Sequence, residues 1–280
     1  MKPAPFAYHR ARDVDGALRL LADLGDDAKV VAGGQSLVAM MNYRLARPRH
    51  LVDIARLREL DRMERDSTGA LRIGALTTHH TVERDPRGVL GRDFAVLSRA
   101  MEWVGHLPIR TRGTVGGSLA HADATAEWCL LAVVLRAQFV VRGLRGERTI
   151  PASDFFHGYY TSDLAPDELL VEVVFPRPAP HAALTEFAER RGDFALVAAA
   201  VDLDLDVVDG TVRGGRVGLG GVAAAVVRVP EAEEVLAAGG SFADCAAAAA
   251  AAVDPPEDTA YRKSLVRTLV QRACEEAITA

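Results

Sequence analysis

Apolar residues recur at Val14, Ala17, Leu18, Leu21 and Leu24, a spacing that predicts a helix over 13–24. Asp13 stands as its N-cap and Gly25 as its stop. The run AKVVA at 28–32 then predicts a buried strand, GGQS at 33–36 a turn, residues 36–46 a short helix, and HLVDIA at 50–55 a second strand. Together they make one compact α/β unit. A second unit opens near Leu71: LRIGALTT reads as a strand, TVERDP starts a helix, and residues 94–105 form another helix ending at Gly105. A glycine-rich stretch at 113–118 follows, then a helix around 124–135 and strand-like segments at 137–143, 148–156 and 168–176. Pro176, Pro178 and Pro180 mark a linker. Beyond it, residues 195–222 predict strands joined by a turn at Asp209 and Gly210, and 230–239, 242–253 and 261–277 predict helices. The seven alanines at 246–252 favour helix through their low side-chain entropy cost and read as packing filler. The pattern is α+β, in three parts.

Totals narrow the function classes. A chain of 280 residues, 49% hydrophobic and 25% charged, has the composition of a globular protein with more than one core. A net charge of −5 argues against nucleic acid as the main partner. The chain lacks an apolar window of membrane-spanning length, and its first residues lack a signal peptide's apolar stretch, so the cytoplasm is the expected location. Cys129, Cys245 and Cys274 form neither a disulfide framework nor a C-x-x-C metal motif, and they fall short of the four thiolates of a [2Fe–2S] cluster.

Two glycine pairs carry the candidate chemistry. Gly33 and Gly34 let the backbone between strand and helix turn sharply and approach a ligand, and successive N–H groups in such a turn can nest an anion. Ser36 can cap the next helix or meet a phosphate. Thr114 and Ser118 flank Gly116 and Gly117 in the same manner, followed by His121, Asp123 and Glu127. Neither stretch is G-x-G-x-x-G or a Walker loop, and an ordinary turn is the alternative for either alone. Two in adjacent α/β units point to a shared ligand, and a diphosphate needs that many donors. Arg110 and Arg112 can offset anionic charge or form a surface pair; Arg190, Arg191 and Asp193 sit near a ligand or at a solvated strand end. His79, His80, His106 and His121 lack helical zinc spacing and read as solvated or structural. Trp103, Trp128, Tyr159 and Tyr160 can stack on a ring, though core packing is commoner. The sequence offers no nucleophile elbow. It names no catalytic residue and no metal ligand.

The stretches AGGQSL at 32–37, IRTRGTVGGSLAHADATAEW at 109–128, EFAERRGDFALV at 186–197 and YRKSLVRTLVQRA at 261–273 resemble, in order across nearly the whole chain, the FAD-binding medium subunit of molybdenum hydroxylases. That family includes the carbon monoxide dehydrogenase medium subunit and the xanthine dehydrogenase flavin domain. The resemblance implies a two-subdomain FAD-binding fold of the vanillyl-alcohol oxidase and cytokinin dehydrogenase type, followed by a C-terminal α/β domain of the CO dehydrogenase flavoprotein type. The expected division is 1–176, with subdomains of about 1–60 and 61–176, and 181–280. It implies non-covalent FAD, its diphosphate held by Val31, Ala32, Gly33, Gly34, Gln35, Ser36 and Leu37 and by Thr114, Val115, Gly116, Gly117 and Ser118. Glu127 matches an aspartate that contacts FAD in the xanthine dehydrogenase branch, and Leu169 an apolar residue lining that site. Relatives carry proline where this chain has Ala124.

The implied function is electron relay. A large subunit would oxidise substrate at a molybdopterin cofactor, and electrons would pass through [2Fe–2S] clusters on a small subunit to FAD and a final acceptor. The alternatives are a stand-alone FAD-dependent oxidoreductase and a non-enzymatic assembly or binding protein that has lost FAD.

Overall fold

The computed structural model describes residues 2–206 and 208–279. Its first part is a three-stranded parallel sheet ordered β1-β3-β2, from β1 (Ala7–Arg10), β2 (Ala28–Val31) and β3 (His50–Asp53). Between β1 and β2 lies α1 (Val14–Leu24), which buries Val14, Ala17, Leu18 and Leu21 as the spacing requires. Asp13 Oδ1 accepts from Gly16 N at 2.6 Å, and Gly25 ends the helix at φ 58°. A turn at 32–36 leads from β2 into α2 (Leu37–Asn42), and the chain returns along β3. The strand at 28–31 is only partly buried beyond Ala28, because its far end faces a cleft.

The second part opens with β4 (Met63–Arg65) and β5 (Leu71–Gly74). Five short helices follow: α3 (His79–Arg84), α4 (Ala95–Ala100), α5 (Leu107–Arg110), α6 (Val115–His121) and α7 (Glu127–Val134). Then come β6 (Gln138–Gly143), β7 (Gly146–Pro151), the small pair β8 (Phe156–Gly158) and β9 (Thr161–Ser162), and β10 (Leu169–Phe175). The antiparallel sheet runs β4-β5-β10-β6-β7. Glu172, 1% exposed in the middle of β10, is satisfied by Arg62 Nη2 at 2.6 Å and by Arg72.

Here local pattern and structure part chiefly in four places, one of them the strand expected over 148–156, which ends at Pro151 before a helical turn at 152–154. The helix expected over 94–105 is α-helical only to Ala100; Met101, Glu102 and Trp103 bond back three residues, to Ser98, Arg99 and Ala100, and the chain turns outward. The glycine-rich stretch is not a loop at all: both glycines lie in the first turn of α6, capped by Thr114. And α7 starts at Glu127 rather than near Ala124. Asp123 Oδ1 accepts from Thr125 N and Oγ1 at 2.9 and 2.8 Å, and this turn, with Ala122 at φ 53°, separates the two helices.

The third part is an antiparallel sheet, β11 (Ala182–Phe187), β12 (Val197–Leu205), β13 (Val212–Gly220) and β14 (Val227–Arg228), in that order. The hairpin joining β12 and β13 turns at Gly210. Alternation along the strands gives the sheet two apolar faces. Ala183, Val197, Ala199, Val201, Val217 and Leu219 pack under α8 (Pro230–Ala237), α9 (Phe242–Ala252) and α10 (Thr259–Thr279). Ala182, Leu184, Ala198 and Ala200 join the core of the second part, against α7. That helix is buried all round its circumference, which is why EWCLLAVV shows no amphipathic stripe. Alanines 246, 249 and 250 are fully buried, so one face of the alanine run packs as filler, while Ala247, Ala251 and Ala252 are exposed. Among the described residues no helix is long and apolar enough to cross a membrane.

Candidate functional site

Two clefts lie at the surfaces where these parts meet. The first, about 580 Å³, is lined by residues 31–35, with Tyr8, Asp53 and Arg112 among its other walls. Four successive N–H groups, those of residues 33–36, have no acceptor among the described residues. Gly34 turns the chain at φ 72°, which a residue with a Cβ adopts only at a cost. Gly33 is needed for proximity: a Cβ there would run into the Arg112 carbonyl oxygen and lie 2.9 Å from the Gly113 Cα. The two glycine-bearing stretches are therefore in backbone contact. Gln35 Nε2 donates to Gly33 O at 3.1 Å and braces the turn, while Ser36 N-caps α2 without a side-chain cap bond, so its hydroxyl stays available.

The second stretch is built differently. Val115 N donates to Thr77 O and Gly116 N to Ala75 O, both at 2.9 Å; Gly117 N donates to Thr114 Oγ1 at 3.1 Å and Ser118 N to Thr114 O at 3.0 Å. Its N–H groups are thus already paired within the protein. What remains to offer is hydroxyl chemistry. Thr114 Oγ1 accepts from Gly117 and keeps its own proton to donate, and the partly buried Ser118 adds another hydroxyl. Gly116 is a contact residue, since a Cβ would lie 2.5 Å from the Ala75 Cβ and 2.8 Å from its backbone.

Beneath this turn sits His79, 5% exposed. Trp128 Nε1 donates to its Nδ1 at 3.0 Å, His79 N donates to Gly113 O at 3.0 Å, and the ring fills the space a Gly113 Cβ would need. Burial pushes its pKa down to about 4, with Arg110 adding to the effect, so the ring is neutral. Arg110 does not face a ligand. Its guanidinium meets Glu83 at 2.9 and 3.1 Å and caps the carbonyls of Val104 and Gly105. Arg112, by contrast, is exposed in the first cleft and makes no ion pair among the described residues.

The second cleft, about 350 Å³, brings together Glu102 and Trp103 from beyond α4 and Glu186, Arg190, Arg191 and Gly192 from β11 and the loop after it. Of the aromatic candidates, Trp103 alone reaches it: Trp128 is in the core, and Tyr160 stacks on His121 at 4.9 Å. The stretch 106–113 has one end at each cleft. His106 packs where a Gly192 Cβ would stand, and Arg112 lines the first cleft. Leu169 is 3% exposed within the core of the first part and lines neither cleft. Glu127 is partly buried at the start of α7. Burial raises its pKa, and Asp123 adds to the rise; the Glu186 carboxyl is raised by burial first and Glu127 second. Sequence reasoning missed Glu186. The only signal was a carboxylate on the Ala182–Leu184 face of an otherwise apolar strand. Tyr8 and Asp53 of the first cleft, which hydrogen-bond to each other, were also missed. The three cysteines are buried thiols, and among the described residues no cluster of three His, Cys, Asp or Glu is placed to hold a metal ion.

Comparison with known proteins adds to this geometry. Residues 4–178 match the family described as the FAD binding domain in molybdopterin dehydrogenase, and residues 182–277 match the CO dehydrogenase flavoprotein C-terminal domain. The 6-hydroxypseudooxynicotine dehydrogenase complex subunit alpha of Paenarthrobacter nicotinovorans is 42% identical, over 99% of this chain and 96% of its own. The carbon monoxide dehydrogenase medium chain of Afipia carboxidovorans is 33% identical over 99% and 98%. Among solved structures, a carbon monoxide dehydrogenase from Hydrogenophaga pseudoflava, which lacks the Mo-pyranopterin moiety of its molybdenum cofactor, superposes with a TM-score of 0.93 at 33% identity, covering 99% of this chain and 98% of that one.

Proposed function

Since the chain belongs to the FAD-binding family of molybdopterin dehydrogenases, we propose that it is the flavin-carrying medium subunit of a heteromeric molybdenum hydroxylase in the cytoplasm. A small [2Fe–2S] subunit and a large molybdopterin subunit are its partners. The observation that carries the flavin reading is the row of four unpartnered N–H groups at 33–36, three of them on residues that line the first cleft, with Gly33 packed against Arg112 and Gly113 at the start of the second stretch. Such a row fits a diphosphate, which brings several acceptor oxygens and negative charge to one place. Arg112 supplies a nearby cation, and the hydroxyls of Ser36, Thr114 and Ser118 supply donors that leave their own backbone bonds intact.

Bound FAD supplies electron transfer, and the protein's part is to hold and orient it and to tune its surroundings. Residues 31–37 and 114–118 are the proposed diphosphate site. The stretch 106–113 connects it to the second cleft, where Trp103 offers an aromatic face and Arg190 and Arg191 offer charge. Glu127 acts through Glu186, which lines this second cleft. Leu169 contributes through the packing of the first part rather than through contact.

The test is a titration of the purified chain with FAD, riboflavin and ADP. Tight FAD binding, much weaker riboflavin binding and measurable ADP binding are expected, with co-purification of iron–sulfur and molybdenum subunits from the native source. A chain that stays colourless after reconstitution with FAD would overturn the reading.

A further inference from the structure

The inner face of the third sheet sets up a contact that diphosphate binding does not use. Across the strands, Leu184, Ala200 and Gly218 form one row, and Glu186, Ala198 and Gly220 the next. Their small residues let α7 lie directly on the sheet. A Cβ on Gly218 would be 2.5 Å from Val134 Cγ2 and 2.9 Å from Leu130 Cδ1, and one on Gly220 would be 3.1 Å from Ala124 O. This close seating brings the first residue of α7, Glu127, towards the row that carries Glu186, and the Glu186 carboxyl feels its charge.

Glu186 is 7% exposed, it borders the second cleft, and its Oε2 has no hydrogen-bond partner among the described residues. An ionised carboxylate held in that way, beside a second carboxylate, is costly; a proton on one of them removes the repulsion and turns the orphan oxygen into a donor. The groups around the pair are Asp123 before α7, Cys129 on it, Glu102 beyond α4, His106 against Gly192, and Arg190 and Arg191 beyond β11. Neither of those arginine side chains pairs with a carboxylate among the described residues, so neither holds Glu186 ionised.

We propose that the Glu186 carboxyl presents an O–H donor to the heteroatom edge of the flavin ring in the second cleft. This rests on the flavin reading above. Glu186 is then a positioning and tuning residue. A neutral acid strengthens its hydrogen bond as the ring edge gains negative charge, and the proton stays on the carboxyl.

The experiment compares wild type, Glu186→Gln, Glu186→Ala and Glu127→Gln. FAD and ADP affinities and the flavin midpoint potential are measured from about pH 6 to about pH 9. In wild type, FAD affinity falls about tenfold over that range as Glu186 loses its proton, while ADP affinity holds. Glu186→Gln keeps a donor, so it retains the affinity and flattens the profile. Glu186→Ala loses about tenfold in FAD affinity near neutrality and lowers the midpoint potential, again with ADP unchanged. Glu127→Gln removes the neighbouring charge that helps hold the proton on Glu186, so the fall moves to lower pH. Profiles and potentials identical in all four proteins would overturn the inference, and so would an equal loss of FAD and ADP affinity. A wild-type chain that binds ADP but not FAD would instead defeat the flavin reading itself.

Discussion

Spelled in letters, AGGQS and TVGGS are near twins; in their hydrogen bonds they are opposites. At 33–36 the glycines leave four N–H groups without acceptors at the rim of a cleft. At 115–118 the N–H groups all go to Thr77, Ala75 and Thr114, and the glycines are spent on contact with Ala75, just after β5, and on the cap of α6. A glycine pair can thus serve a ligand or serve packing, and the accounting of backbone donors separates the two. The first stretch is a recognition surface. The second is its buttress, contributing hydroxyls at most.

The largest effect expected is on the buttress. Gly116→Val would force a Cβ to within 2.5–2.8 Å of three Ala75 atoms, two of them backbone, in a region with no room to yield. Urea denaturation should show a loss of about 3 kcal/mol, with FAD affinity of the folded fraction changed less than about threefold. If stability held and FAD affinity collapsed, the division between the stretches would be wrong. The counterpart is Gly33→Ala. Its methyl would collide with the Arg112 carbonyl and wedge the turn away from Gly113. FAD binding should weaken about a hundredfold, equivalent to about 2.7 kcal/mol, with a smaller change in melting temperature. Unchanged affinity by fluorescence titration would break the comparison from the other side.

A third difference lies beneath the surface. The second stretch rests on a buried, neutral His79, while among the described residues no buried histidine lies beneath the first. Burial lowers the folded-state pKa of His79 from 6.5 to about 4. Above about pH 6.5 folded and unfolded chains are both neutral there, and the stabilisation is complete. Below it the unfolded chain binds a proton that the folded chain refuses, so stability falls as pH drops towards about 4. The His79 share should be about 2 kcal/mol between about pH 6.5 and about pH 5. Glutamine at 79 keeps an oxygen acceptor for Trp128 Nε1 and does not titrate. Denaturation midpoints of His79→Gln should therefore fall less steeply over this window than those of wild type. Parallel slopes would remove His79 from the account.

How much of this was readable from the chain depends on whether the cause is local. Helix α1 is bounded by residues that act on their own neighbours, Asp13 on Gly16 and Gly25 on itself, and its limits were legible to the residue. The hairpin turn at Gly210 and the packing role of the alanine run were legible for the same reason. The start of α6 was not. Glycine disfavours helix, and only the cap at Thr114 and the close approach of Ala75 overrule it. The glycine pairs themselves marked both stretches and the family resemblance supplied their ligand, but the free and the occupied N–H groups look alike in sequence. Glu186 was invisible as a site residue. Its isolation comes from the seating of α7 on strands more than fifty residues away in the chain.

The finest cut falls on Thr114, where buttress and ligand donor meet in one hydroxyl. Thr114→Val keeps the shape and removes the acceptor for Gly117 N, leaving that first-turn donor unpaired. The cap alone should be worth about 1 kcal/mol in urea denaturation. If the same hydroxyl also gives its proton to a diphosphate oxygen, FAD and ADP should each bind about fivefold more weakly, riboflavin should be indifferent, and Thr114→Ser should restore both stability and affinity. A valine variant that loses stability but binds FAD and ADP as wild type does would confine the second stretch to support, and the whole of diphosphate recognition would then fall on residues 33–36, Arg112 and Ser118.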